Sequence, residues 1–375
     1  MEHLTYPGVG ILIVLMVFIL AKKRKIPSDW WLFVVLLAIG IKFVGFILPY
    51  DYTIWTYCVQ SLTEFYFFPL LLIYGLVLIS PNQKFKPVWL WSFSLAVLFT
   101  LFLFYDMGIS KKTSTSEQIK EIYEAAPPKY LLFYIAHYVY QIVLLIWFLF
   151  RLKGYTLSLK GSFSNIDNIN MRWLGSFTKA YLFTICLAMT ITLLRHLKQP
   201  SYEGLLSYLF YLSLTIALFY VCFHGIRHYA IADFKAIGAH DSGHKETFEK
   251  YKSSSLTEEK MNKLYHQIKK LIEDEQWFLK PQLRIDDLAK ELQVTINQVS
   301  QTINSKAEKS FYDFVNSYRV AYLKNELIKS ENQQYTILAL GLESGFNSKS
   351  SLNRIFKEST GLTPLQFQRI NMHSA

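Results

Sequence analysis

Residues 335–367 read YTILALGLESGFNSKSSLNRIFKESTGLTPLQF, and this stretch decides the fold of the C-terminal part of the chain. An apolar helix over 337–344 runs into Gly345-Phe346, where glycine supplies a left-handed turn that other residues adopt only at a cost. A second helix, about 348–357, carries Lys349, Asn353, Arg354 and Lys357 along one side and Leu352, Ile355 and Phe356 along the other. Thr363-Pro364 then opens a closing helix. The threonine is its N-cap, the proline its first helical residue, and Gln366 stands three residues after the cap. A short support helix, a tight turn and a second helix with a polar outer side make a helix-turn-helix unit.

The same pattern occurs once more upstream. Residues 285–292 form a support helix with Leu288, Ala289 and Leu292 inward, and Gln293-Val294 make the turn. Thr295 and Gln298 form a T-x-x-Q capping box. The helix over 296–304 is expected to bury Val299 and Ile303 and to expose Asn297, Gln298, Gln301 and Thr302. A long helix over 311–327 links the two units through Phe314, Val315, Tyr318 and Leu323. Ahead of them, Thr257 caps a helix whose Met261, Leu264, Ile268, Leu271 and Ile272 have helical period.

The N-terminal part is of a different kind. The chain has 375 residues, 52% of them hydrophobic, and a net charge of +11. Of that charge +8 falls in residues 1–244 (20 basic, 12 acidic) and +3 in the remainder (19 basic, 16 acidic). Nearly all long apolar runs also lie before residue 245. A membrane span needs roughly 20 mostly apolar residues, and seven stretches qualify or nearly do: 6–21, 30–48, 54–79, 88–105, 130–150, 173–194 and 205–223.

The charge pattern orients them. Loops assigned to the cytoplasm carry 12 Lys or Arg and loops assigned outside carry six. That bias places the N-terminus outside and the C-terminus inside. KKRK (22–25) follows the first run, and no positive charge precedes it, so that run is not a cleavable signal peptide. Seven of the eight tryptophans lie in this half, mostly near run ends, as interfacial anchors do.

Ionisable groups within spans are costly and hence candidates for function. Lys42 in the second run and Glu64 in the third are expected to pair, either as a packing ion pair or as an intramembrane signal site. His137, Tyr138, Tyr140 and Gln141 add polarity to the fifth run, for helix–helix hydrogen bonds or a pocket.

Several chemistries find no support. Three scattered cysteines (Cys58, Cys186, Cys222) make neither a disulfide framework nor a zinc site. His224/His228 and His240/His244 have helical metal spacing, but no further ligand completes a set. H-E-x-x-H and G-x-S-x-G are absent, and the last run has no lysine for a retinal Schiff base. No enzyme activity, metal or cofactor is expected.

Residues 264–369 resemble the DNA-binding domain of AraC/XylS-family transcription regulators. IDDLAKELQVTINQVSQTIN and ILALGLESGFNSKSSLNRIFKESTGLTPLQF carry the resemblance. The whole layout resembles membrane-bound members of that family from Bacteroidetes-type bacteria. The resemblance implies two recognition helices in successive major grooves. Carried over by position, the base-edge candidates are Asn297, Gln298 and Gln301 in the first unit and Lys349, Ser350, Asn353 and Arg354 in the second; Lys306 and Lys357 are phosphate candidates. A solvated helix face is the alternative for each. Gln293 and Glu308 stand where the family usually has glycine, Gly341 where it has alanine, and Gln301 where many members have arginine.

The expected fold class is all-α: a polytopic membrane helix bundle of about seven spans, then a cytoplasmic all-helical domain with two helix-turn-helix units. The expected domains are 1–227 (membrane), 228–256 (linker) and 257–375 (double helix-turn-helix). The expected function is that of a multi-pass inner-membrane regulator that binds double-stranded DNA, forms a homodimer and responds to an unknown small ligand or membrane partner. A transporter or channel with a regulatory DNA-binding tail, and a membrane-stored regulator released by proteolysis, remain open alternatives.

Overall fold

The computed structural model describes residues 2–22, 25–47, 54–80, 84–109, 128–167, 169–197, 203–227 and 257–372. Every regular element among them is helical, and one isolated antiparallel bridge joins Phe163 to Arg284. The linker over 228–256 and its histidines lie outside the described residues, as do the side chains of Lys42 and Glu64.

Two compact units divide the chain. The first comprises Met1–Lys153 and Met171–Asp241, and the second comprises Gly154–Asn170 and Ser242–Ala375. A short piece of the N-terminal half therefore belongs to the C-terminal unit, a grouping that a contiguous domain over 1–227 does not anticipate.

Among the described residues, the first unit holds the α-helices α1 (Glu2–Ala21), α2 (Pro27–Ile47), α3 (Ile54–Ile79), α4 (Ser94–Ile109), α5 (Pro128–Ser162), α6 (Arg172–His196) and α7 (Glu203–Arg227). The last turns of α5 extend into the second unit. Two stretches among the described residues, Leu131–Ser162 and Arg172–Leu194, are long and apolar enough to cross a membrane. Shorter apolar helical stretches are Leu12–Ala21, Pro27–Ile41, Phe65–Ile79 and Pro87–Phe102. The expected run over 88–105 is split, because Pro87–Phe93 is a tight 3-10 turn and only Ser94 onward is α-helical. The fifth helix runs 12 residues past the apolar run that announced it, to Ser162.

The unit is apolar on its outer surface as well as in its core, and a few polar side chains are buried within that core. Val14, Leu132, Val143, Phe150 and Phe183 are exposed, whereas His137, Gln141, Thr178 and Thr184 are buried. The His137 ring stacks on Phe65 at 4.1 Å, and its Nε2 lies 2.5 Å from the Gln141 amide. Tyr181 donates to Gln141 at 3.4 Å, and the Tyr138 and Thr192 hydroxyls are 3.1 Å apart. The polarity of the fifth run thus goes partly into the His137–Gln141 contact within α5, and partly into hydrogen bonds from Gln141 and Tyr138 to α6 and from Tyr140 to Trp91 O, which hold helices together where apolar packing gives little preference.

The second unit has α8 (Glu258–Glu273), α9 (Ile285–Glu291), α10 (Ile296–Ala307), α11 (Phe311–Ile328), α12 (Ile337–Glu343), α13 (Lys349–Thr360) and α14 (Pro364–Met372). The amphipathic stripe of α8 packs on α10, and α9 and α11 pack there as well. Leu264, Ile268, Leu288, Val299, Ile303 and Phe314 meet in one core. α11 is shared, since it also packs on α12, α13 and α14. Its far end closes a second core with Leu323, Leu340, Phe346, Leu352 and Phe356, all at most 2% exposed.

Local chemistry sets the helix ends. Thr295 and Gln298 form the reciprocal cap, with Thr295 N donating to Gln298 Oε1 at 2.9 Å and Gln298 N to Thr295 Oγ1 at 3.2 Å. Thr363 and Gln366 do the same at 2.9 and 3.3 Å. Together such caps satisfy amide groups that a helix start leaves bare.

Candidate nucleic-acid interface

Each recognition helix is aimed by the turn before it. At the end of α12, Gly345 N donates to Leu342 O (3.0 Å) and Phe346 N to Gly341 O (3.1 Å), with Gly345 at φ +88°. This is a Schellman turn. The end of α9 makes the same turn, with Gln293 N on Lys290 O (3.2 Å), Val294 N on Ala289 O (3.0 Å) and Gln293 at φ +54°. Gln293 thus takes the glycine conformation, at a cost of about 1 kcal/mol. Glu308, after α10, does likewise at φ +52°. The turn geometry survives the departures from glycine because the flanking helices hold it. Gly341 has its own reason: a Cβ there would come within 2.5 Å of Leu352 Cδ2. Leu352 of α13 therefore fills the space that an alanine side chain would take.

On α10, Asn297 is exposed, and Gln298 and Gln301 are half-buried. The Gln298 carbonyl is committed to the Thr295 cap, which leaves its amide NH2 as the group not used by the cap. Thr302, expected on the outer face, is instead 0% exposed. It stands three residues after Val299 and one before Ile303, on the buried stripe, and its hydroxyl has no hydrogen-bond partner among the described residues. Lys306 reaches back to Glu258 at the start of α8. That pair links the two helices and occupies a lysine expected on phosphate.

On α13, Lys349, Ser350 and Lys357 are exposed, while Asn353 and Arg354 are half-buried. Ser348 caps the helix, accepting from Ser351 N at 3.1 Å. Arg354 is already engaged. Its Nη2 donates to Asp167 Oδ1 at 3.0 Å and to the Tyr312 hydroxyl at 3.0 Å, and its Nη1 to Glu358 at 3.3 Å. Burial works against the charge of Arg354, but the Tyr312 hydrogen bond and the charges of Tyr312, Asp167 and Glu358 more than offset it, so its pKa is raised. Burial likewise raises the Tyr312 pKa, and the Arg354 contact only partly opposes this. Both groups keep their protons at neutral pH.

Asp167 arrives from the segment between α5 and α6, which forms part of this unit. Ser164 N donates to Leu283 O at 3.1 Å, and Ser164 Oγ to the same oxygen at 2.7 Å. Arg319, only 1% exposed, spreads its five N–H donors over Phe278 O, Lys280 O, Asn316 Oδ1 and both oxygens of Ser164. Burial lowers its pKa to about 10, and this full set of acceptors keeps the guanidinium charged. Lys160 lies 3.7 Å from Asp313, and Arg284 stacks over Phe163 at 5.0 Å.

Ser164, Asp167 and Tyr312 were not among the residues singled out from sequence. A signal existed for one side of the cluster. Arg319 sits in the stripe Val315, Asn316, Arg319, Val320, Leu323, and an arginine on a buried stripe needs buried acceptors. Nothing local says that they come from residue 164.

Residues 288–370 match the model of a family described as a helix-turn-helix domain. Searches of the curated proteins and of the solved structures returned no match. The matched stretch spans α10 through α13, both recognition helices and the long helix between them. The match supports a DNA-binding domain of the AraC-type helix-turn-helix kind in the C-terminal part of the chain.

Proposed function

We propose that the chain is a membrane-integral, sequence-specific transcription regulator whose membrane domain senses a signal and controls the cytoplasmic double helix-turn-helix head. The observation that carries the reading is a helical unit with many large apolar side chains on its outer surface, on the same chain as two capped recognition helices. Seven spans, α1–α7, place the N-terminus outside and the head inside, in keeping with the basic-inside charge bias. α10 and α13 enter successive major grooves about 10 base pairs apart. Arg354 and Lys349 read guanine, Asn353 and Asn297 read adenine, Gln298, Gln301 and Ser350 add contacts, and Lys357 holds phosphate, joined by Lys306 where phosphate displaces Glu258 from it. Two heads on one membrane raise each other's effective concentration and favour paired sites, so the working form is a homodimer. The signal is a small ligand or a membrane partner. If Lys42 and Glu64 pair within the bundle, they belong to the sensing site.

The test is selection of genomic fragments by the full chain in lipid nanodiscs, sequenced at two salt concentrations. The expected result is an enriched motif with two half-sites about one helical turn apart that survives the higher salt. Uniform binding that vanishes with salt would overturn sequence-specific reading.

A further inference from the structure

We infer that the segment between α5 and α6 is an intramolecular competitor of DNA, with the Asp167 carboxylate holding the second recognition helix in a non-reading state. The inference rests on the proposed role of Arg354 at the DNA.

The geometry is that of an acidic ligand on a nucleic-acid-reading face. Asp167 Oδ1 accepts from Arg354 Nη2 at 3.0 Å, and Asp167 Oδ2 accepts from the Ser348 hydroxyl at 3.3 Å. Ser348 caps α13, so the carboxylate stands at the first turn of the recognition helix, a position that favours an anion. These are donors that a phosphate or a guanine edge would use. Three of the five N–H groups of Arg354 are engaged, and both on Nη2 are taken by Asp167 and Tyr312, so a bidentate guanine contact through Nη1 and Nη2 has to displace one of these partners. The negative charge of Asp167 also repels an approaching backbone.

The contact is built into the unit. Asp167 N donates to Asn165 Oδ1 at 3.0 Å, which shapes the turn. Three residues earlier, Ser164 is anchored on Leu283, Asn316 and Arg319. Ile166, between the two in sequence, is 1% exposed. Ser164 can therefore stay in place while Asp167 lets go. Because the segment continues directly into α5 and α6, a displacement of either helix moves the carboxylate relative to Arg354. That gives the membrane unit a covalent path to the reading face that does not pass through residues 228–256.

The experiment compares Asp167→Asn, Asp167→Glu, Arg354→Ala and the double variant Asp167→Asn/Arg354→Ala, each as full chain in nanodiscs. Retention of genomic duplex fragments is titrated at fixed salt. Asp167→Asn keeps size and hydrogen bonding but loses charge, and is expected to tighten retention about three- to tenfold, the gain when a half-buried charge pair no longer holds the closed state. Asp167→Glu should stay near the parent. Arg354→Ala should weaken binding, and the double variant should resemble it. Unchanged or weaker binding by Asp167→Asn, with Arg354→Ala still weak, would overturn the competitor and leave DNA reading intact. Parent-like binding by Arg354→Ala would instead remove Arg354 from the reading face, and with it the basis of the competition. Amide hydrogen exchange on α11 checks that each variant keeps the head folded.

Discussion

Arg319 donates to the backbone oxygen of Ser164 at 3.3 Å and to its hydroxyl at 3.1 Å, across 155 residues of sequence. The two residues are both 1% exposed. A buried guanidinium with an incomplete set of acceptors is strongly unfavourable, so the head depends on a residue that lies outside its own contiguous sequence.

Ser164→Ala removes one of those acceptors together with the donor to Leu283 O. The expected cost is about 1–3 kcal/mol, read as faster amide hydrogen exchange in α11 of the full chain. The same chain cut down to residues 257–375 loses both Ser164 oxygens and should open more readily still. Parent-like protection of α11 in both forms would show that Arg319 finds acceptors elsewhere.

Gly345 and Gly361 both have positive φ, +88° and +77°, yet they should respond differently to alanine. A Cβ at 345 would come within 2.6 Å of Phe278 O and 3.0 Å of Arg319 Nε and Leu279 Cα, whereas one at 361 meets nothing within 4 Å. Gly361→Ala should cost about 1 kcal/mol, the conformational penalty alone. Gly345→Ala should cost about 3 kcal/mol or more, because backbone must move. Thermal unfolding of the two variants side by side tests the ranking, and equal shifts would refute it.

Gln293 and Glu308 carry the opposite prediction. Each holds a left-handed conformation that glycine adopts freely, at φ +54° and +52°. Gln293→Gly and Glu308→Gly should each stabilise the head by about 1 kcal/mol. A loss of stability in either would mean that the side chain makes a compensating contact.

Thr302→Val replaces a buried hydroxyl that has no partner among the described residues by a methyl of the same shape. Stability should stay level or rise by about 1 kcal/mol, and DNA retention should not change. Weakened DNA retention with unchanged stability would return Thr302 to the reading face.

Features written within one or two helical turns were legible from sequence. The Thr295–Gln298 and Thr363–Gln366 caps, the Gly345-Phe346 turn and the polar side of α13 all follow from neighbours three or four residues apart. Thr302 is a polar residue type on the inner stripe, and its spacing from Val299 and Ile303, not its hydroxyl, decides its burial. The apolar run of the fifth helix stops at Phe150, while the helix itself continues to Ser162, so hydropathy marks the run but not the helix end. The Asp167–Arg354 and Ser164–Arg319 contacts were not legible at all. Each joins residues more than 150 positions apart, and no local pattern encodes such a partner.

The completion of the head by Gly154–Asn170 has a consequence for how this protein can be recombined. The cassette that folds as one body is not one continuous stretch of coding sequence. A graft of the C-terminal residues alone onto a foreign receptor would carry Arg319 without its serine and Arg354 without its aspartate. A chimaera that exchanges the N-terminal helices must therefore keep the α5–α6 turn with the head, so that the splice points fall inside the N-terminal half and not at its end.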